Sequence, residues 1–138
     1  MTSFVQLIDL RDHGVDCFVA DSPAQQAQRL FGGQVAAQAL RAGCLTAPAG
    51  RRAHSLHAYF LRPGRPGSPV RLAVTRIRDG RSFSTRLITA SQRDEVILMM
   101  MASFYPGEDG PDWQPLPCPQ VPGPAELAPA PEMLSWFP

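Results

Sequence analysis

The sequence contains no lysine, no hydrophobic run of membrane-spanning length and no leader-like N-terminus. A transmembrane helix needs about 20 consecutive apolar residues, and no stretch of the chain approaches that length. Asp9, Arg11 and Asp12 follow closely behind the first short apolar stretch, which does not match the pattern of a secretory signal. These absences predict a protein without a membrane span or an export signal, and we expect it in the cytoplasm.

Paired cysteines and an excess of either charge are also missing. The three cysteines, Cys17, Cys44 and Cys118, form no CxxC pair and show no metal-ligand spacing, so neither a disulfide framework nor a metal site is predicted. All thirteen basic residues are arginine, and with twelve acidic residues they leave a net charge of +1. Such a balance gives no electrostatic reason to expect nucleic acid or an anionic membrane as a partner.

Proline divides the chain near Pro106. Ten of the fifteen prolines lie between Pro106 and Pro138. They remove backbone donors and fix φ there, so this segment cannot join a sheet or a helix interior. We therefore predict one domain over residues 1–106 and a Pro-rich linker or tail over residues 107–138.

Before the prolines, the pattern indicates both helices and strands. Helical spacing over residues 4–11 predicts a short N-terminal helix, and residues 15–20 are typical of a strand. Residues 24–45 hold alanine, glutamine and leucine without a β-branched run, which favours a helix. Gly32 and Gly33 interrupt this stretch and small residues follow them, so the packed part of the helix is predicted to begin there and to approach a sheet closely.

Four strands are predicted after the helix, over residues 53–61, 70–78, 82–92 and 95–105. Asp79 and Gly80 match the signal for a two-residue hairpin turn, because both turn positions favour positive φ. The last strand is apolar on both faces from Val96 to Ala102, which predicts burial on both sides.

A strand, a long helix and an antiparallel meander indicate an α+β fold. A single helix held by a strongly curved antiparallel sheet forms two packed layers with the fewest elements. Such a sheet has open edges, which natural proteins pair or cover. We therefore expect a partner, either a second copy of the chain or a second similar domain.

Three segments of the chain resemble the N-terminal half of the acyl-CoA thioesterase II family. They are RLFGGQVAAQAL at residues 29–40, HSLHAYFLRPG at residues 54–64 and RDGRSFSTR at residues 78–86. The Ala102-Ser103-Phe104 end of the last strand also fits. Three long matches in the same order and spacing make this resemblance far more specific than one short motif.

The resemblance implies a hotdog fold, which is a curved antiparallel sheet wrapped around one central helix. It also implies hydrolysis of fatty acyl-CoA to free acid and CoA, without a cofactor. In that family, two hotdog folds are joined in one chain by a Pro-rich linker. The catalytic Asp, Thr or Ser, and Gln lie in the second fold. The tail of this chain resembles the start of that linker.

Thioester hydrolysis requires a base for water and donors for the developing oxyanion. Residues 24–45 contain no Asp or Glu. Comparison of the two halves of the family places its hydroxyl position near Ala53 and its glutamine position near Ser103, and both lack the required group. We therefore predict that the chain is inactive alone and assign no catalytic residue. His57 is a candidate base, although a histidine within a strand is more often a structural group.

Candidate ligand-binding residues lie near the predicted helix start. Gly32 and Gly33 could offer backbone N–H groups to a carbonyl or an anion, or could simply form a turn, and Gln34 follows them directly. Arg62 could bind a phosphate of CoA, or could lie solvated at a strand end. No residue is a candidate metal ligand.

Three hypotheses of function follow. In the first, the chain is one half of an acyl-CoA hydrolase and needs a second hotdog domain. In the second, it is a homodimer that binds acyl-CoA without cleaving it. In the third, it is a homodimeric enzyme that uses His57 or Asp21 across its interface.

Overall fold

The computed structural model describes residues 4–24 and 28–127. The chain divides into two units, residues 1–108 and 109–138. Among the described residues of the second unit, the only regular element is a 3-10 turn at Pro124–Glu126. Part of the predicted long helix and the end of the predicted tail lie outside the described residues, and the division into a domain and a linker stays a prediction.

The first unit contains a single sheet and one long helix. In chain order its described elements are α1 (Phe4–Leu7), β1 (Leu10–Asp12), β2 (Cys17–Ala20), α2 (Gly32–Thr46), β3 (Arg52–Phe60), β4 (Val70–Asp79), β5 (Ser84–Gln92) and β6 (Glu95–Tyr105). The strands pair antiparallel in the order β1-β2-β4-β5-β6-β3, and helix α2 contacts all six of them. The predicted α+β arrangement of a curved antiparallel sheet around one central helix is confirmed.

Small residues let helix α2 lie close to the sheet. Ala39 and Ala42 are fully buried, and a Cβ atom added to Gly43 would lie 3.1 Å from the ring of Phe104 and 3.2 Å from Ile88. Because a larger side chain would push helix and sheet apart, the small residues define how the two layers pack. The predicted close approach of the helix to the sheet is confirmed.

The structure corrects the predicted N-terminal elements. Helix α1 ends at Leu7, and residues predicted to continue it form β1, where Leu10 pairs with Ala20. Long-range pairing with β2 therefore overrides the local helical spacing. Strand β2 begins at Cys17 rather than at residue 15, because Asp16 adopts a positive φ of 53° in the preceding turn.

The predicted two-residue turn at Asp79 and Gly80 is wrong. Asp79 is the last residue of β4 and pairs with Ser84, so the hairpin loop comprises residues 80–83 and is closed by a 2.9 Å hydrogen bond from the N–H of Gly80 to the carbonyl of Phe83. Consecutive positive φ angles occur instead between β5 and β6, at Arg93 (48°) and Asp94 (66°). Those are the angles that a two-residue turn requires.

The outer face of β6, turned away from helix α2, is not buried within this unit. Met99 and Met101 are 40% and 49% exposed, whereas Leu98, Met100 and Phe104 on the inner face are fully buried. The prediction that β6 is covered on both sides is therefore wrong for the described residues. The strand is apolar on both faces, but helix α2 covers only one of them.

Candidate functional site

Helix α2 begins without a side-chain cap. Phe31 is the N-cap residue, no side-chain hydrogen bond caps the helix there, and the carbonyl of Phe31 accepts the N–H groups of Gln34 and Val35 at 3.0 and 3.4 Å. The N–H groups of Gly32 and Gly33 precede the first intrahelical bond, and the first turn contains no acidic residue. The helix start can therefore bind a carbonyl oxygen or an anion through backbone donors and the positive end of the helix dipole.

Two aromatic rings explain why both of these residues are glycine. A Cβ atom on Gly33 would lie 2.5 Å from the ring of Phe31, and one on Gly32 would lie 3.1 Å from the ring of Phe60. Both distances are shorter than an ordinary van der Waals contact, so a larger residue would displace the rings. The rings thus pack directly against the backbone at the start of the helix.

The loop that follows β3 crosses the start of helix α2. The N–H of Leu30 donates a 2.9 Å hydrogen bond to the carbonyl of Gly64, and a Cβ atom on Gly64 would lie only 2.9 Å from Cδ1 of Leu30. The guanidinium of Arg62 donates to the carbonyl of Val96 at 2.8 Å. These contacts hold the loop, and with it Arg62, in a defined position beside the helix.

A cavity of about 310 Å³ lies between this loop and the helix start. Its lining combines two arginines with an apolar wall, namely Arg29 and Arg62 with Leu30, Val35, Phe60, Leu61 and Ile97. A second cavity of about 310 Å³ shares both arginines and adds Arg65 and Glu95, which form an exposed ion pair at 4.0 Å. An apolar wall beside basic groups fits a ligand that has an acyl chain and an anionic part.

The structure places two of the four predicted ligand residues in one cavity. Gly32 and Arg62 line the first cavity, whereas Gly33 and Gln34 belong to the same helix turn but do not line it. Sequence reasoning missed Arg29, which lines both cavities, although it begins the first of the three family-like segments. The roles of the four predicted residues in ligand binding stay predictions.

The glutamine at the centre of helix α2 has a structural role. Gln38 is fully buried, and its Nε2 donates to the carbonyls of Leu7 at 2.7 Å and Asp21 at 3.2 Å. Its amide therefore holds the N-terminal segment and the end of β2 against the helix. Because helix α2 has no acidic residue, it offers no side chain that could accept a proton from water.

The positions predicted to correspond to the family's hydroxyl and glutamine lie on neighbouring strands. Ala53 in β3 pairs with Phe104, and Ser103 in β6 pairs with Ser55. The hydroxyl of Ser103 lies 2.8 Å from Nε2 of His54. Neither position carries an acid.

His57, the candidate base, lies on the outer face of the sheet. It pairs with the exposed Met101, and its ring centroid lies 4.7 Å from that of Tyr59. It does not line the cavity beside Gly32 and Arg62, and its role as a base stays a prediction.

Nothing in the described part of the chain suggests a metal centre or a membrane helix. Over these residues, no three His, Cys, Asp or Glu side chains gather in a group that could hold a metal ion. In the same ranges, no helix is both long and apolar enough to cross a bilayer.

Residues 20–105 match the family described as Acyl-CoA thioesterase N-terminal domain. This match includes the last residue of β2, helix α2 with the cavity beside it, and strands β3 to β6. The chain belongs to the acyl-CoA thioesterase family and corresponds to its N-terminal hotdog half.

Named relatives agree with this assignment. The chain is 43% identical over 100 residues to acyl-coenzyme A thioesterase 8 of Mus musculus and 37% identical over 110 residues to acyl-CoA thioesterase 2 of Haemophilus influenzae, and these matches cover 72% and 80% of the chain. The structure of the acyl-CoA thioesterase II TesB2 from Mycobacterium marinum matches 91% of the chain with a TM-score of 0.80 and 37% identity.

The chain is much shorter than these relatives. The matches cover 31% of the mouse protein, 38% of the Haemophilus protein and 47% of the Mycobacterium structure. The predicted resemblance to the N-terminal half of the acyl-CoA thioesterases is confirmed.

Proposed function

We propose that this chain is the N-terminal half of an enzyme that hydrolyses fatty acyl-CoA to free acid and CoA, and that it is inactive until a second hotdog fold completes it. The observation that carries this proposal is the uncapped start of helix α2, beside a cavity lined by Gly32 and Arg62. The helix contains no acidic residue. The chain therefore offers a site for a thioester but no base on this helix to activate water.

Binding of the thioester is assigned to the start of helix α2. We propose that the N–H groups of Gly32 and Gly33 bind the thioester carbonyl, where negative charge develops during attack by water. The apolar wall formed by Val35 and Phe60 would hold the first carbons of the acyl chain. Arg62 would bind an anionic part of CoA, because its forked guanidinium suits phosphate geometry.

The missing half of the chemistry is the activation of water. Gln38 is hydrogen-bonded to two main-chain carbonyls, and a glutamine could not remove a proton in any case. A carboxylate from a second hotdog fold would supply this function, in line with what the family resemblance implies.

Strand β3 is the proposed place for that second fold. It lies at the end of the strand order, and every residue along it except Ala58 is exposed. An open strand edge is a template for pairing with another sheet. Leu56, Tyr59 and Phe60 expose apolar surface there, which a neighbouring fold would cover.

Thiol release from acyl-CoA tests the proposal. We expect no release by this chain alone with short or long acyl-CoA, and release when it is mixed with the C-terminal half of a related thioesterase. Arg62→Gln should raise the KM of the mixture. Arg71→Gln is the control, because it removes an exposed arginine on β4, away from the cavity, and it should leave the KM unchanged. CoA release by the isolated chain, or no release by any mixture, would contradict the proposal.

The second candidate function is a homodimer that binds acyl-CoA without cleaving it. The apolar cavity beside the helix start favours it, since that cavity lies within this chain. Calorimetry with acyl-CoA together with light scattering would support this function if a dimer bound the ligand without releasing thiol. In both cases we propose a cytoplasmic location, because Cys17, Cys44 and Cys118 are unpaired.

A further inference from the structure

Three arginines line the second cavity beside the loop that follows β3. This cavity has a volume of about 310 Å³, and its lining includes Arg29, Arg62 and Arg65 together with the acidic residue Glu95. All three arginines are exposed. Because cations outnumber acids in this lining, the cavity favours an anionic ligand. We call Arg29, Arg62 and Arg65 the arginine cluster.

A buried glutamine holds the backbone of Arg65. The Oε1 atom of Gln92 accepts the N–H of Arg65 at 2.7 Å, and its Nε2 donates to the carbonyls of Arg65 at 3.0 Å and Ser68 at 2.6 Å. Gln92 itself is buried. Its amide therefore fixes the position of Arg65 and leaves the guanidinium at the surface, where the side chain is 62% exposed.

Backbone hydrogen bonds also anchor the other two members of the arginine cluster. The N–H of Arg62 donates to the carbonyl of Ile97 at 3.3 Å. Arg29 directly precedes Leu30, whose N–H donates to the carbonyl of Gly64 at 2.9 Å. A cation whose backbone is already fixed loses less conformational entropy when it binds a ligand.

Little within the described part of the chain competes for these guanidinium groups. Arg65 forms an ion pair with Glu95 at 4.0 Å, and because both side chains are exposed, water and salt weaken this pair. No ion pair found among the described residues involves Arg29 or Arg62. The three positive charges are therefore available to phosphate oxygens, with which arginine forms short, charge-assisted hydrogen bonds.

We propose that the arginine cluster binds the pyrophosphate of CoA, and that the phosphate oxygens displace Glu95 from Arg65. This inference rests on the proposed function and extends it, because it assigns the pyrophosphate of the same substrate to the second cavity and adds Arg29 and Arg65 to its binding residues. One guanidinium can donate two parallel hydrogen bonds to a phosphate. A pyrophosphate presents two adjacent phosphates, so more than one arginine can bind it at once.

The two cavities adjoin each other, so one CoA derivative can occupy both. They share the lining residues Arg29, Arg62, Pro63 and Gly64, and the ligand therefore need not pass around the free edge of β3. The hydrogen bond between Leu30 and Gly64 joins the segment before Gly32 to Arg65. Since only three residue steps complete this path, the Cα atoms of Gly32 and Arg65 lie within roughly 20 Å of each other. The pantetheine arm of CoA and the reach of an arginine side chain can cover that distance.

Calorimetry with CoA and dephospho-CoA tests the proposal, since dephospho-CoA keeps the pyrophosphate and lacks only the 3′-phosphate. We expect both compounds to bind the full chain with similar affinity. Arg29→Gln and Arg65→Gln should each weaken the binding of both compounds about tenfold, as expected for the loss of one hydrogen bond between charged groups. Glu95→Gln should strengthen binding, because it removes the carboxylate that competes for Arg65.

Arg71→Gln is the matched control. Arg71 is an exposed arginine on β4 that lines neither cavity, so this variant loses the same charge and should bind CoA normally. Equal weakening in Arg71→Gln and Arg65→Gln would reveal a general effect of net charge and would overturn the proposal. So would much weaker binding of dephospho-CoA than of CoA, because the group held by the protein would then be the 3′-phosphate.

An acyl thioester of N-acetylcysteamine separates this proposal from the proposed function. It lacks the pyrophosphate and reports only on the cavity beside helix α2, so Arg65→Gln should bind it as the unmodified chain does. If the thioester binds and CoA does not, the pyrophosphate site is wrong and the thioester site stands. If CoA binds through the arginine cluster and the thioester does not bind, the pyrophosphate site stands and the thioester site of the proposed function is wrong.

Discussion

The guanidinium of Arg86 donates a 2.9 Å hydrogen bond to the main-chain carbonyl of Thr46, which joins β5 to the last residue of helix α2. The side chain of Arg86 is 0% exposed, and it also donates to the Thr46 hydroxyl at 3.0 Å and to the carboxylate of Asp79 at 2.8 Å. One buried cation thus binds the negative end of the helix dipole and the end of β4 together.

Replacement of Arg86 by methionine is expected to lower the free energy of unfolding by about 1–3 kcal/mol, the cost of a buried acceptor without its donor. The buried carbonyl of Thr46 would lose its donor, and the carboxylate of Asp79 would lose its counterion. Denaturation with urea, followed by circular dichroism, measures the loss.

Arg76→Met provides the control for this prediction. Arg76 is also an arginine of the sheet and is paired with an aspartate, but its side chain is 51% exposed. An exposed pair contributes no more than about 1 kcal/mol. Equal decreases in the free energy of unfolding of the two variants would show that burial of Arg86 does not add to its stabilising effect.

Gly64→Ala is expected to destabilise the loop that crosses the helix start. The added Cβ would lie 2.9 Å from Cδ1 and 3.1 Å from Cβ of Leu30, which is itself buried. Overpacking of this kind costs about 1–3 kcal/mol. Because Gly64 and Leu30 both line the cavity, binding of acyl-CoA should weaken in the same variant.

Gly110→Ala is the matched substitution. No atom lies within 4 Å of a Cβ placed on Gly110, so neither the midpoint of unfolding nor ligand binding should change. An unchanged midpoint in Gly64→Ala would show that Leu30 can move aside without cost.

Sequence reasoning succeeded where local pattern and packing agree. The small residues after Gly33 correctly predicted where the packed helix begins, and the strand predicted over residues 95–105 has the bounds of β6. It failed where a distant partner decides the structure. Strand β1 exists because it pairs with β2, and the loop after Asp79 takes its form from a strand register that no local signal contains.

The same distinction applies to the candidate site. Gly32 and Arg62 were predicted from motifs and line one cavity. The contact between the rings of His54 and Tyr105 was not predicted, because His54 reaches Tyr105 only through a bulge in the pairing of β3 with β6. A register shift of one residue cannot be read from alternation alone.

Asp16 is expected to make part of the stability of the fold dependent on pH. Hydrogen bonds from Arg76, 2.8 and 2.9 Å long, hold the pKa of the Asp16 carboxyl below its ordinary value of 3.8. Because the pKa is lowered in the folded state, this contribution is present above the unfolded-state pKa. It is lost as the pH falls through the folded-state value.

Asp16→Asn removes the charge and keeps the backbone, since asparagine tolerates the positive φ of this residue. At neutral pH we expect a loss of up to about 1 kcal/mol relative to the unmodified chain, because the pair is partly exposed. The difference should close as the pH falls below about 4. Asp12→Asn retains an acceptor for the N–H of Gly14 and should show no such pH-dependent difference. A gap between Asp16→Asn and the unmodified chain that persists at low pH would contradict this account.

His57→Ala is expected to leave kcat/KM of the completed enzyme unchanged. The ring of His57 lies beside Tyr59 on the outer face of the sheet and does not line the cavity where the thioester is proposed to bind. Steady-state thiol release by the chain mixed with a C-terminal half gives the measurement, and circular dichroism verifies that the variant is folded. Loss of a general base lowers the rate by about 10²–10⁴-fold. A decrease of that size in a correctly folded variant would instead identify His57 as the base.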